Sequence, residues 1–191
     1  MPDAAVFLDR DGVINVDHGY THRVADLQFV PGSVAAMQRL QGAGWRLVVV
    51  TNQSGIARGL FTEDDYTRFT ARLRSELQSA GVGLDAVLHC PHLPDATVAA
   101  YRQLCDCRKP APGMLLRAAR ELSLDLAASV IVGDRLSDLQ AGRAAGLGRC
   151  LLVRSGHPIA AAEARQADAV YDDLAACAHA LGAPRHDAPR A

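Results

Sequence analysis

Ala5-Val6-Phe7-Leu8-Asp9-Arg10-Asp11-Gly12-Val13 is the stretch on which the reading of this 191-residue chain turns. Four apolar residues stop at two carboxylates one residue apart, and a glycine follows. Alternate residues of an extended chain share a side, so Asp9 and Asp11 point the same way off the strand's carboxyl end. Open α/β sheets bind their ligands at that end. Carboxylates this close repel unless a cation or a proton lies between them. An acidic turn closing a buried strand is the competing reading, because Asp and Gly are common turn residues.

Further along, apolar runs alternate with helical patterns. The sequence predicts strands over 4–9, 46–51, 86–90, 129–133 and 150–153, with a short one at 169–171. Helical periodicity covers 33–42, 62–80, 113–122, 136–145, 159–166 and 174–181. Thr62 followed by Glu63, Asp64 and Asp65 is a hydroxyl cap with acids in the first turn. Gly44, Gly81, Gly146 and Gly182 stand where helices end. This alternation predicts an α/β fold, a mostly parallel sheet with helices on both faces. Residues 1–182 are expected to form one domain, and 183–191, with two prolines and scattered charge, a disordered tail. Two segments break the alternation, 16–29 and 91–108, and loops that long in a compact domain are usually functional.

Composition narrows the function classes. A formal net charge of −1 gives no bulk electrostatic drive toward nucleic acid. No apolar run reaches the ~18 residues of a membrane span, and the N-terminus lacks the charged region and cleavage site of a secretory signal. A cytoplasmic, monomeric protein that binds neither nucleic acid nor membrane is expected. Arginine supplies 19 of the 20 basic side chains, and Lys109 is the only lysine. A position that keeps a compact ammonium in such a chain either needs one or has kept it by chance.

Three more strand ends carry polar chemistry. Val48-Val49-Val50 runs into Thr51-Asn52-Gln53-Ser54-Gly55, a phosphate cradle or an ordinary polar loop. Val130-Ile131-Val132 runs into Gly133-Asp134-Arg135-Leu136-Ser137-Asp138, a second acid pair or a helix cap. The third is Arg108-Lys109-Pro110, which leads into a helix. Together these place acids, a hydroxyl, amides and a cation at the carboxyl ends of strands in one sheet. That set suits metal-assisted phosphoryl transfer through a carboxylate nucleophile. Five cysteines are an odd number, and Cys90-x-His92, twelve residues, then Cys105-x-Cys107 offers three thiols and an imidazole. In a cytoplasmic chain this reads as a closed structural zinc site or as free cysteines beside a surface histidine. Cys150 and Cys177 lie on apolar faces and read as core residues.

D-R-D-G-V at 9–13, T-N at 51–52, R-K-P at 108–110 and G-D-x-x-x-D at 133–138 resemble the four ordered motifs of the haloacid dehalogenase superfamily phosphatases. The likeness runs from about Val6 to about Leu181 and extends to D-H-G-Y at 17–20 and C-D-C-R-K-P at 105–110. It is similar to the subgroup acting on sugar bisphosphates and on histidinol phosphate. The resemblance implies a Rossmann-like fold without a large cap domain, carrying a short substrate loop and a zinc loop over 90–107. It implies hydrolysis of the 7-phosphate of D-glycero-D-manno-heptose 1,7-bisphosphate on the way to ADP-heptose and lipopolysaccharide core. The alternatives are histidinol phosphate or another small sugar phosphate, and, more remotely, a zinc-stabilised binding module without catalysis.

Residue by residue, the resemblance implies Asp9 as nucleophile and Asp11 as general acid and base. One residue can fill both of the latter roles only if it exchanges its proton near working pH, which anionic neighbours favour. Mg²⁺ would be held by Asp9, the backbone oxygen of Asp11 and Asp134, with Asp138 nearby, and zinc by Cys90, His92, Cys105 and Cys107. Thr51 and Asn52, with Gln53 and Ser54 beside them, would hydrogen-bond the phosphoryl group, and Lys109 would balance its charge. Arg108 and the segment Asp17-His18-Gly19-Tyr20 would contact the sugar and its remaining phosphate.

Overall fold

The computed structural model describes residues 3–184, so most of the expected disordered tail lies outside the described residues. Six parallel strands form one sheet: β1 (Ala5–Leu8), β2 (Arg46–Asn52), β3 (Ala86–Cys90), β4 (Val130–Gly133), β5 (Arg149–Val153) and β6 (Ala169–Tyr171). Their order is β3-β2-β1-β4-β5-β6. The first strand is therefore central, with Phe7 in register with Val48 on one side and Ile131 on the other. The order reverses there, and in open α/β sheets such a switch point leaves a crevice beyond the strand ends.

Every residue of β1 is buried, and its alternation feeds two cores. Val6 and Leu8 pack with α1 (Ser33–Gly42), α3 (Glu63–Ser79) and α7 (Leu174–Leu181) on one face. Ala5 and Phe7 pack with α4 (Gly113–Leu122) and α5 (Leu136–Ala145) on the other. A strand covered on both faces reads as a continuous apolar run, which is why β1, β2 and β4 were legible as sequence.

Local signals did their expected work. Thr62 accepts from the Asp65 backbone N–H while the Asp65 carboxylate accepts from the Thr62 backbone N–H, closing a capping box at the start of α3. Two elements differ from expectation. Residues 159–166 hold only one turn, α6 (Ala161–Ala164), because no residue of it is buried against the sheet. A short helix, α2 (Ser54–Ala57), follows β2 directly and is too short to leave a periodic signal. Among the described residues no helix is long and apolar enough to cross a membrane.

Candidate active site

The carboxyl ends of β1, β2 and β4 open onto a cavity of about 620 Å³. Of the expected site residues, Asp9, Asp11, Asp17, Gly19, Tyr20, Thr51, Asn52, Gln53, Ser54, Arg108 and Lys109 line it. His18 does not; its backbone N–H donates to Thr21 Oγ1 at 2.9 Å. Asp134 lies beneath the cavity floor, nearly fully buried.

Lys109 is the hub. It is 3% exposed, and its ammonium lies 2.6 Å from Asp138 Oδ1, 3.0 Å from Asp9 Oδ1 and 2.7 Å from the Val50 carbonyl oxygen. Burial opposes its charge, yet the Asp138 and Asp9 carboxylates hold its pKa above the ordinary lysine value. Two carboxylates and one carbonyl oxygen surround this ammonium, so the single lysine sits there as a compact point cation. Asp9 Oδ1 also accepts the Arg10 backbone N–H at 2.9 Å, and among the described residues Oδ2 takes no hydrogen bond.

Asp138 acquires a definite role. Its Oδ1 pairs with Lys109, and its Oδ2 accepts the Arg135 backbone N–H at 3.0 Å at the start of α5. Asn52 lines the cavity and is tied to the lysine's backbone. Its Nδ2 donates to the Lys109 carbonyl oxygen at 2.9 Å and its Oδ1 accepts the Lys109 N–H at 3.1 Å. The Asn52 amide therefore clamps the lysine's backbone, and its Nδ2 keeps a second proton at the cavity it lines. Thr51 lines the same wall. Its hydroxyl accepts from Gln53 Nε2 at 2.9 Å and keeps its own proton to donate.

Asp11 faces donors, not the anionic neighbours that the sequence led us to expect. Arg10, only 1% exposed, donates from Nε at 3.1 Å and from Nη2 at 2.9 Å to Asp11 Oδ1, and from Nη2 at 2.8 Å to Oδ2. Asn15 Nδ2 and Gln53 Nε2 complete the shell at 2.8 and 3.1 Å. The same Arg10 Nη2 reaches the Thr21 carbonyl oxygen at 2.6 Å, and the guanidinium lies 4.5 Å over the Phe69 ring. Asp11 is thus tethered to the segment that follows Tyr20 through a buried arginine. Residue 10 lies inside the decisive motif, but a basic residue between two acids reads as solvent-facing until the loop closes over it.

Two clusters could hold metal. Asp9, Asp134 and Asp138 bring carboxylate oxygens within 4.8 Å of one another. Asp134 Oδ1 is buried with no hydrogen-bond partner. Burial and then the Asp9 carboxylate push the Asp134 pKa upward, a charge arrangement that a hard divalent cation with oxygen ligands, such as Mg²⁺, would relieve. The Asp11 carboxylate stands outside this cluster, bound by Arg10. Gly12 makes the close packing possible. At φ +80°, it approaches so tightly that a Cβ would stand 2.6 Å from Asp134 Oδ2.

Cys90, His92, Cys105 and Cys107 form the second cluster. Cys107 Sγ lies 3.1 Å from Cys90 Sγ, 3.3 Å from Cys105 Sγ and 3.4 Å from His92 Nδ1. These separations are too long for a disulfide, whose bond is ~2.0 Å. They are close to the ~3.8 Å that sulfurs on a tetrahedral zinc keep at Zn–S of ~2.3 Å. Burial and then Cys107 push the Cys90 thiol upward, so a cation is what would make a thiolate there. This Cys/His set fits a zinc site. Beside it Arg108 Nη1 donates to the His92 carbonyl oxygen at 3.3 Å, tying the loop to the cavity wall.

The sequence reading missed Arg135, Ser137 and His157, which line the cavity. Ser155-Gly156-His157 follows β5, a strand end of the same kind as the others, but it carries no acid to draw notice.

The chain resembles known proteins along nearly its whole length. The model of the HAD-hydrolase-like family matches residues 106–177. A D-glycero-beta-D-manno-heptose-1,7-bisphosphate 7-phosphatase of Photorhabdus laumondii is 50% identical over 171 residues, covering 90% of this chain and 91% of its own. The protein of the same name from Escherichia coli K12 is 51% identical over 171 residues, covering 90% of each. The crystal structure of a D,D-heptose 1,7-bisphosphate phosphatase from B. bronchiseptica, complexed with magnesium and phosphate, superposes with a TM-score of 0.78 at 37% identity. That match covers 93% of this chain and 97% of that one. The phosphatase of that name from Burkholderia thailandensis gives a TM-score of 0.64 at 31% identity, covering 94% and 98%.

Proposed function

The chain belongs to the haloacid dehalogenase superfamily and, within it, to the D-glycero-β-D-manno-heptose-1,7-bisphosphate 7-phosphatases, and on that footing we propose that it removes the 7-phosphate of its family's heptose bisphosphate through a phosphorylated Asp9. The route served is the formation of ADP-heptose for lipopolysaccharide core. The observation that carries this reading is the convergence of Asp9, Lys109, Asp134 and Asp138 at the switch point of the sheet.

Asp9 Oδ2 attacks the 7-phosphate phosphorus, and the bond from phosphorus to the sugar oxygen breaks. Asp11 gives its proton to that departing oxygen, yielding the heptose 1-phosphate and an aspartyl-phosphate. Asp11 then takes a proton from water as it attacks the phosphorus, and inorganic phosphate leaves with Asp9 restored. Thr51 donates to a phosphoryl oxygen, and Lys109 balances the charge gathering on the group in transfer. Mg²⁺ held by Asp9, Asp134 and the Asp11 backbone oxygen would supply neutralisation of the phosphoryl oxygens when bound. Arg108 and the 17–20 loop hold the sugar and the phosphate that stays, with a guanidinium suited to that anion. Zinc at Cys90, His92, Cys105 and Cys107 has four protein ligands and no open position, which fits a structural role.

The test is kcat/KM, with Mg²⁺, on both anomers of the heptose bisphosphate, fructose 1,6-bisphosphate and histidinol phosphate. The β-anomer is expected to lead, and a preference for histidinol phosphate would overturn the substrate assignment. Asp9→Asn is expected to abolish phosphate release; unchanged release would remove Asp9 as nucleophile.

A further inference from the structure

The loop after β5 reaches over the metal cluster in a way the catalytic scheme above does not use. His157 donates its backbone N–H to Asp134 Oδ2 at 3.0 Å, and its Nδ1 lies 2.7 Å from the same oxygen. The other ring nitrogen, Nε2, meets Arg135 Nη2. A guanidinium can only donate, so Nε2 accepts and the ring's proton sits on Nδ1, aimed at Asp134. Two donors from one residue therefore hold Oδ2, while Oδ1 is buried, has no hydrogen-bond partner among the described residues and faces only the Arg135 Nε at 3.9 Å, which leaves it for an ion. The loop is seated by its own backbone. Ser155 Oγ donates to the Gly12 carbonyl oxygen at 2.7 Å, and a Cβ on Gly156 would overlap the Asp134 carboxylate.

We propose that His157 is the positioning residue of the magnesium site, orienting Asp134 so that one oxygen faces the cation. The inference rests on the metal-dependent reading above. Hydrogen bonds to a ligating carboxylate fix its rotamer and relieve the ion of the cost of ordering it. Losing such an outer partner weakens metal binding about 10–100-fold. Asn can stand in for the ring, since its Nδ2 occupies the same place along the side chain as His Nδ1 and donates likewise.

The experiment is Mg²⁺ titration by calorimetry on the zinc-loaded, substrate-free protein, for the unsubstituted chain, His157→Ala and His157→Asn. The Mg²⁺ concentration for half-maximal activity is read in parallel. His157→Ala is expected to raise the Mg²⁺ Kd about 10-fold or more, with the Mg²⁺ concentration for half-maximal activity rising alongside it. His157→Asn is expected to return the Kd toward that of the unsubstituted protein. Equal Kd values for His157→Ala and the unsubstituted chain would overturn the proposal. So would a folded His157→Asn as weak as His157→Ala, because the donor at that position would then be irrelevant. If the unsubstituted chain binds no Mg²⁺, the metal-dependent reading itself falls, and this inference with it.

Discussion

Asp138 shows how one buried side chain can serve another. Its carboxylate is 1% exposed and holds the Lys109 ammonium on the Asp9 side of the site. Burial, with the Asp9 and Asp134 charges, pushes its pKa up to about 6 despite the opposing pull of Lys109. A carboxyl raised in the folded state binds its proton more tightly there than in the unfolded chain. Its stabilising effect is full below an unfolded value near 3.8 and is lost as pH rises through about 6. The difference in urea midpoint between the Mg²⁺-free protein and Asp138→Asn should therefore vary with pH across that window. Added Mg²⁺ should flatten the slope, since the cation offsets the clustered charge. At neutral pH Asp138→Asn takes an ionised carboxylate out of this crowd of acids but leaves Lys109 without its partner at 2.6 Å, and kcat should fall as the ammonium drifts. Arg10 is a parallel case. Arg10→Met leaves Asp11 with only the Asn15 and Gln53 amides. The kcat for the sugar phosphate is expected to fall more steeply than that for p-nitrophenyl phosphate, a good leaving group that needs little proton donation; equal losses would show that Arg10 does not position the acid.

The elements that carry the site are loops tied at fixed points, and each tie has its own measurement. The segment from β3 to α4 has few buried apolar residues of its own, with Leu93 and Ala96 packed on Ala57 and half-buried Tyr101. Its fold therefore leans on the Cys/His cluster, and metal binding there is folding free energy for the loop. Cys105→Ala combined with Cys107→Ala is expected to drop zinc from one per chain to none by atomic absorption. Activity should fall with it, because Arg108 and Lys109 directly follow those cysteines. Full zinc occupancy in the double variant would sink the ligand assignment. Beyond β2 and α2, the capping box at Thr62 starts α3, and Thr62→Ala should cost about 1 kcal/mol in thermal unfolding without moving kcat.

Across the whole molecule, the sheet places its chemistry at one point because β1 lies in the middle. The strand that ends in Asp9 touches both β2 and β4, and alternate side chains anchor it in both core layers. Phe7 and Leu8 are fully buried, one in each layer. Phe7→Ala and Leu8→Ala should each destabilise by about 3–4 kcal/mol, read by urea denaturation. Leu8→Ala, next to Asp9, should also lower kcat.

Much of this was legible in the linear chain. Apolar runs of strand length, helical periodicity and caps are local properties, set by steric alternation and burial, so element order and parallel topology followed from them. The acids and hydroxyl at strand ends were visible for the same reason, since a strand's direction fixes where its last residues lie, whereas Lys109, carried back by the long loop after β3, stood out only as the single lysine. The partner of each polar atom was decided only by the tertiary fold. The Asn52 amide closes on the Lys109 backbone across 57 residues, and His157 meets Asp134 across 23. Such bonds form because buried polar groups must find donors and acceptors within a closed space. No period or spacing in the sequence encodes which ones they find.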